Sequence, residues 1–186
     1  MNNEMIIEVN EVYKKYDDAT VLDNVSLEIE KGKIYGLVGR NGSGKTVLMK
    51  CICGLIKPTS GEVKVAGKTV GKDVDIPEDI GVIIETPGFI PNYSGFKNLK
   101  LLASVRNKIS NEEIRKSMEI VGLEPKSRKH VGKYSLGMRQ KLGIAQAIME
   151  KPKILILDEP MNGLDNESVA VVRKILKEQA ENGATI

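Results

Sequence analysis

Residues Gly39-Arg40-Asn41-Gly42-Ser43-Gly44-Lys45-Thr46 combine three glycines, a lysine and a hydroxyl at the spacing needed to hold a phosphate. Gly39, Gly42 and Gly44 permit backbone conformations in which successive N–H groups turn inward on phosphate oxygens. Lys45 is expected to reach the terminal phosphates, and the Thr46 hydroxyl to sit on Mg²⁺. A second stretch, Lys153-Ile154-Leu155-Ile156-Leu157-Asp158-Glu159-Pro160, ends four apolar residues in two adjacent carboxylates. Asp158 can hold Mg²⁺ directly or through a water, and Glu159 can orient or deprotonate an attacking water. A positioned base of that kind contributes about 10²–10⁴ in rate. A third carboxylate, Glu85, closes the apolar run Ile80-Gly81-Val82-Ile83-Ile84 beside Pro87-Gly88. It reads either as a group that reaches a ligand or as an ordinary solvated strand end.

These groups need a scaffold that brings them to one edge. Ile34-Tyr35-Gly36-Leu37-Val38 suits a buried strand and Thr46-Val47-Leu48-Met49-Lys50 a helix, so the glycine loop sits between them. Runs 80–84 and 154–157 suit core strands, the latter a central parallel one. Residues 5–13, 25–30 and 62–67 carry alternating patterns expected of antiparallel strands. Between 96 and 150 the pattern is helical. Ser110-Asn111-Glu112-Glu113 is a capping box ahead of Ile114, Met118 and Val121, with Gly122 as the stop. A further helix begins at Ser135 with Leu142, Ala145 and Met149 inward, and another runs from Asn166 to Asn182. Ala184-Thr185-Ile186 begins what reads as another core strand, which suggests a truncated chain. Tyr13 and Tyr16 could stack on a nucleotide base or simply pack a strand edge.

The fold class is therefore α/β, in a single domain of 186 residues. Antiparallel β parts fall at about 1–33 and 60–75, a mostly parallel phosphate-loop core at about 34–57, 78–88 and 152–186, and a helical subdomain at about 89–151. A net charge of +3 argues neither for a nucleic-acid footprint nor for a strongly electrostatic membrane patch. No apolar run approaches the roughly 20 residues that span a bilayer, so a cytoplasmic chain is expected. Cys51 and Cys53 read as small helix residues kept reduced. His130 belongs to the basic run Lys126-Ser127-Arg128-Lys129-His130, read as a solvated connector.

Taken in order, Tyr16, the loop at 39–46, Glu85, Tyr134-Ser135-Leu136-Gly137-Met138-Arg139-Gln140, Asp158-Glu159 and Asn162-Gly163-Leu164-Asp165 resemble an ATP-binding cassette (ABC) ATPase subunit. The segment at 134–140 resembles the signature that separates this family from other phosphate-loop ATPases. The resemblance implies ATP and Mg²⁺ as cofactors. ATP contacts then fall on Tyr16, Gly39, Arg40, Asn41, Gly42, Ser43, Gly44, Lys45, Thr46 and Val47. The metal falls on Thr46, Glu85 and Asp158, and catalysis on Glu159, Lys45, Glu85, Ser135 and Gly137. It also implies a head-to-tail dimer, with two copies of this chain as the expected pair, in which Ser135 and Gly137 of each subunit close the other's phosphate loop. A membrane permease docked near Glu85 would hold the protein on the inner face of the cell membrane. Glu85 stands where most members have glutamine, and Leu136 and Met138 where glycine and glutamine are commoner. These departures resemble the bacitracin- and lantibiotic-resistance branch of bacterial exporters. The family's switch histidine normally follows the strand that starts at Ala184, a few residues past Ile186, so poor hydrolysis by this chain is expected. A soluble ABC ATPase acting on ribosomes or nucleic acid is the alternative; paired cassettes or long coiled-coil insertions, usual there, are missing here. Intact Lys45, Thr46, Asp158 and Glu159 argue against a purely regulatory nucleotide binder.

Overall fold

The computed structural model describes residues 4–186 and opens on a long hairpin of β1 (Met5–Tyr16) and β2 (Ala19–Glu30). Both strands run further than their alternating stretches suggest. Register shifts along the ladder, with left-handed backbone at Glu11, Asp17 and Asn24, interrupt the period of two without ending the pairing. β3 (Ser60–Val65) pairs antiparallel with β1 and β4 (Lys68–Thr69) with β3, giving the order β2-β1-β3-β4. The helix α1 (Lys45–Ile52) belongs to the same apolar core, where its Leu48 and Cys51 share an interior with Val9, Val12 and Val63.

β5 (Ile80–Ile83) and β6 (Ile154–Leu157) form a parallel pair in register, Ile80 beside Ile154 and Ile83 beside Leu157. β6 is buried on both faces, as a central parallel strand should be. Its Ile154 and Ile156 enter the core of the antiparallel sheet, while Leu155 enters the core under the helices. Those helices are α2 (Gly95–Arg106), α3 (Asn111–Ile120), α4 (Leu136–Ile148) and α5 (Asn166–Glu181). The capping box expected at Ser110 is present in full, and Ile114, Met118 and Val121 are buried behind it. Leu142 of α4 is fully buried in the helical core, where a leucine side chain contributes roughly 1.5–3 kcal/mol.

The apolar run at 34–38 differs from expectation. It is extended, but it joins the parallel sheet only at its start: Tyr35 N donates to the Ile186 carbonyl (2.7 Å) and Ile186 N to the Lys33 carbonyl (2.9 Å). Thr185 in turn bridges to Ile154 of β6. Past Tyr35 this ladder stops, and Ile34 and Val38 are 55% and 98% exposed beside an apolar groove of about 530 Å³. A central strand is buried by neighbours along its whole length, and this run is paired at one end only.

Cys51 and Cys53 are free, buried thiols. Burial raises the Cys51 thiol and pushes that of Cys53 up to about 12. Both therefore stay protonated at neutral and mildly alkaline pH, where the thiolate is the reactive form. Iodoacetamide at mildly alkaline pH should leave both unlabelled in the folded protein under conditions that label both in denaturant. Rapid labelling of folded Cys53 would contradict the burial described here.

Candidate nucleotide site

The phosphate loop turns at Gly44. Its φ of 90° is left-handed, and a Cβ there would stand 2.7 Å from the Val21 carbonyl oxygen and 2.8 Å from Leu22 Cδ2. Backbone conformation and proximity to β2 both require glycine. Gly44 caps α1, and Leu48 N donates to its carbonyl at 2.8 Å. The unpaired N–H groups of the first turn and the positive dipole end thus face the loop. Lys45 Nζ spans it, donating to the carbonyls of Gly39 (2.8 Å) and Arg40 (3.1 Å). Residues 41–47 line a cavity of about 310 Å³ with Val21, Asp158 and Glu159.

Two remote segments meet at Thr46. Its hydroxyl donates to Asp158 Oδ2 at 2.6 Å. Asp158 is placed by the parallel pair, since its N–H donates to the Ile83 carbonyl at 2.7 Å. Glu159 follows with left-handed backbone, φ 45°, a conformation that costs about 1–2 kcal/mol outside glycine. Its carbonyl accepts from Asn162 N (3.0 Å) and Gln140 Nε2 (3.4 Å), and its side chain is exposed at the cavity rim.

Glu85 is also left-handed, φ 59°, and its carboxylate meets Lys50 Nζ at 2.5 Å. With Thr46, Asp158 and Glu159 it lines an adjoining cavity of about 310 Å³, which Arg139 and Gln140 also border. Glu85 borders this adjoining cavity and not the phosphate-loop one, and its side chain is 63% exposed. A hydroxyl and carboxylates make an oxygen-only donor set, which suits a hard cation such as Mg²⁺. Among the described residues no three His, Cys, Asp or Glu side chains gather as a metal cage.

The remaining expected residues stand apart from Lys45. Ser135 caps α4, its hydroxyl accepting from Met138 N at 3.2 Å, and is exposed. Gly137 abuts the 162–165 turn, where a Cβ would come within 3.0 Å of the Gly163 carbonyl oxygen. Neither lines the phosphate-loop cavity. Asp165 caps α5 by accepting from Ser168 N at 2.8 Å; the Ser168 side chain first, and its backbone N–H second, hold the carboxyl below the usual range. The cap's contribution is whole above the ordinary carboxylate pKa and is lost as pH falls through the depressed one. Tyr16 ends β1 at 46% exposure with the Lys14 ammonium 4.9 Å from its ring centre, and it does not line that cavity. Val21, across the hairpin, does. Val21 and Lys50 carry no motif, although Lys50 lies one turn from Thr46 on the same helix face.

A glycine loop at a helix N-terminus, with a carboxylate at a strand end beside its threonine, defines a phosphate-loop nucleotide site. The description of the ABC transporter family matches residues 22–162. The chain belongs to that family. It is 48% identical over 181 residues to the uncharacterized ABC transporter ATP-binding protein YybJ of Bacillus subtilis, covering 97% of this chain and 83% of that protein. It is 45% identical over 185 residues to the bacitracin transport ATP-binding protein BcrA of Enterococcus faecalis, covering 98% of this chain and 60% of that protein. The structure superposes on that of the ATP-binding cassette MJ0796, solved as a dimeric post-hydrolysis state bound to ADP and Pi. The TM-score is 0.84 at 25% identity, over 96% of this chain and 85% of that one. Among the described residues no helix is long and apolar enough to cross a membrane.

Gly44→Ala should remove binding of a fluorescent ATP analogue while the protein stays folded by circular dichroism. Gly32→Ala, at another left-handed position with open space around it, should retain binding. Equal binding by both variants would contradict the role given to Gly44.

Proposed function

We propose that the chain binds Mg·ATP at this site and hydrolyses it as the energising subunit of a membrane exporter, pairing head to tail with a second copy. The observation that carries the reading is that Ser135 and Gly137 do not line the phosphate-loop cavity of Lys45, Thr46, Asp158 and Glu159, while Leu136 between them borders the adjoining one. One copy supplies the phosphate cradle and the carboxylates. Ser135 at an exposed helix N-terminus supplies a hydroxyl, free N–H groups and a positive dipole end to the cradle of the other. The dimeric MJ0796 cassette supports this arrangement.

In this reading Lys45 exchanges its two loop carbonyls for phosphate oxygens, and the loop N–H groups take the remaining ones. Thr46, Asp158 and Glu85 hold the metal, which supplies charge neutralisation for the leaving and transferring phosphates. Glu159, exposed at the rim, orients the attacking water and accepts its proton. Tyr16, at the end of β1, offers a face for the base. Closing of the dimer on ATP and its opening after hydrolysis drive a permease docked near Glu85, and the chain works on the inner face of the membrane. The names of the Enterococcus relative and of the lantibiotic transport ATP-binding protein SrtF of Streptococcus pyogenes, 38% identical over 181 residues, favour a peptide antibiotic or bacteriocin as cargo.

Glu159→Gln should bind ATP and accumulate as a dimer, doubling the mass seen by light scattering when nucleotide is added. A monomer at saturating ATP would argue against the sandwich. For the transport role, the tagged protein should copurify from gently solubilised native membranes with a stoichiometric polytopic membrane protein. Recovery with ribosomes or nucleic acid alone would overturn that role.

A further inference from the structure

Three carboxylates, Glu85, Asp158 and Glu159, line one cavity of about 310 Å³ beside the phosphate loop. A polyphosphate anion brought there meets three negative charges at short range, so the surroundings must supply compensation. Asp158 already accepts the Thr46 hydroxyl, and Glu159 is exposed to water at the rim. Glu85 differs, because its carboxylate is matched by a fixed cation. Lys50 Nζ stands 2.5 Å from Glu85 Oε1, with the lysine side chain 28% exposed and the glutamate 63%.

Lys50 is placed there by α1 itself. It lies four residues after Thr46, hence on the same helix face, and in the last turn, where the negative dipole end favours a cation. Two other cations stand near the site, but neither meets Glu85: Lys45 donates to the carbonyls of Gly39 and Arg40, and Arg139, which borders the same cavity, donates to the Gly132 carbonyl at 3.3 Å. A pair this exposed adds little to stability. Its consequence is where it puts charge and which way it holds a left-handed glutamate.

Resting on the Mg·ATP reading above, we infer that Lys50 is a positioning residue for Glu85: it orients the carboxylate and cancels its charge, so that a glutamate beside the metal and phosphates is compatible with tight nucleotide binding. Lys50 touches neither nucleotide nor metal in this account. Its effect therefore depends on the charge at position 85.

The test is a double-mutant cycle on Mg·ATP dissociation constants, measured by calorimetry with magnesium in excess. Lys50→Met should weaken binding about threefold to tenfold when Glu85 is present, the size expected of one uncompensated charge at a partly exposed site. In the Glu85→Gln background the same change should weaken binding less than twofold. Lys50→Arg should restore binding to within twofold of the unmodified chain. Equal weakening in both backgrounds, or none in either, would overturn the inference, because Lys50 would then act independently of Glu85. Failure of the unmodified chain to bind Mg·ATP is a separate result, which overturns the nucleotide reading and this inference with it.

Discussion

The site depends on one hydrogen bond, from the Thr46 hydroxyl to the Asp158 carboxylate at 2.6 Å across 112 residues of chain. It joins the glycine loop and α1 to the end of the parallel pair. Each partner is fixed by its own element. Gly44 turns the loop so that Thr46 falls in the first turn of α1, and the Asp158 N–H to Ile83 carbonyl bond carries the β5–β6 register one residue past its last strand pair. A one-residue slip of β6 would face Glu159 toward Thr46 and send Asp158 away, because strand side chains alternate. Burial of β6 on both faces, with Leu155 in one core and Ile154 and Ile156 in the other, opposes that slip.

Charge governs the rest of the cavity. A helix N-terminus and Lys45 supply positive potential on the loop side, and three carboxylates face them from the other. Left-handed backbone at Glu85 and Glu159 places two of those carboxylates at strand ends where an ordinary extended residue would direct them elsewhere. The Lys50–Glu85 pair, the Gln140 contact and the Asn162 N–H contact to the Glu159 carbonyl hold those two positions.

Features set by neighbouring residues were legible in the sequence. The glycine loop, the Ser110 capping box, the α4 start at Ser135 and the buried faces of α3 and α4 follow from spacings of three and four residues and from capping chemistry, which need no distant partner. Some that depend on distant chain were not. The run at 34–38 has a core strand's composition, yet its burial is decided by pairing with residues 184–186, which reaches only Tyr35. The Lys50–Glu85 pair spans 35 residues and follows no motif. β1 and β2 outran their alternating stretches because register shifts hide the period of two. Tyr16 offered a stacking face in sequence, while the phosphate-loop cavity is bordered instead by Val21, an aliphatic residue with no signal of its own.

The most direct test of the Thr46–Asp158 junction as the metal-holding centre is ATP affinity measured by calorimetry with magnesium and with chelator, in the unmodified chain, Thr46→Val and Asp158→Asn. The account predicts that magnesium tightens binding in the unmodified chain and that most of this gain disappears in both variants. A magnesium gain that persists undiminished in both variants would contradict it, because the metal would then be held elsewhere.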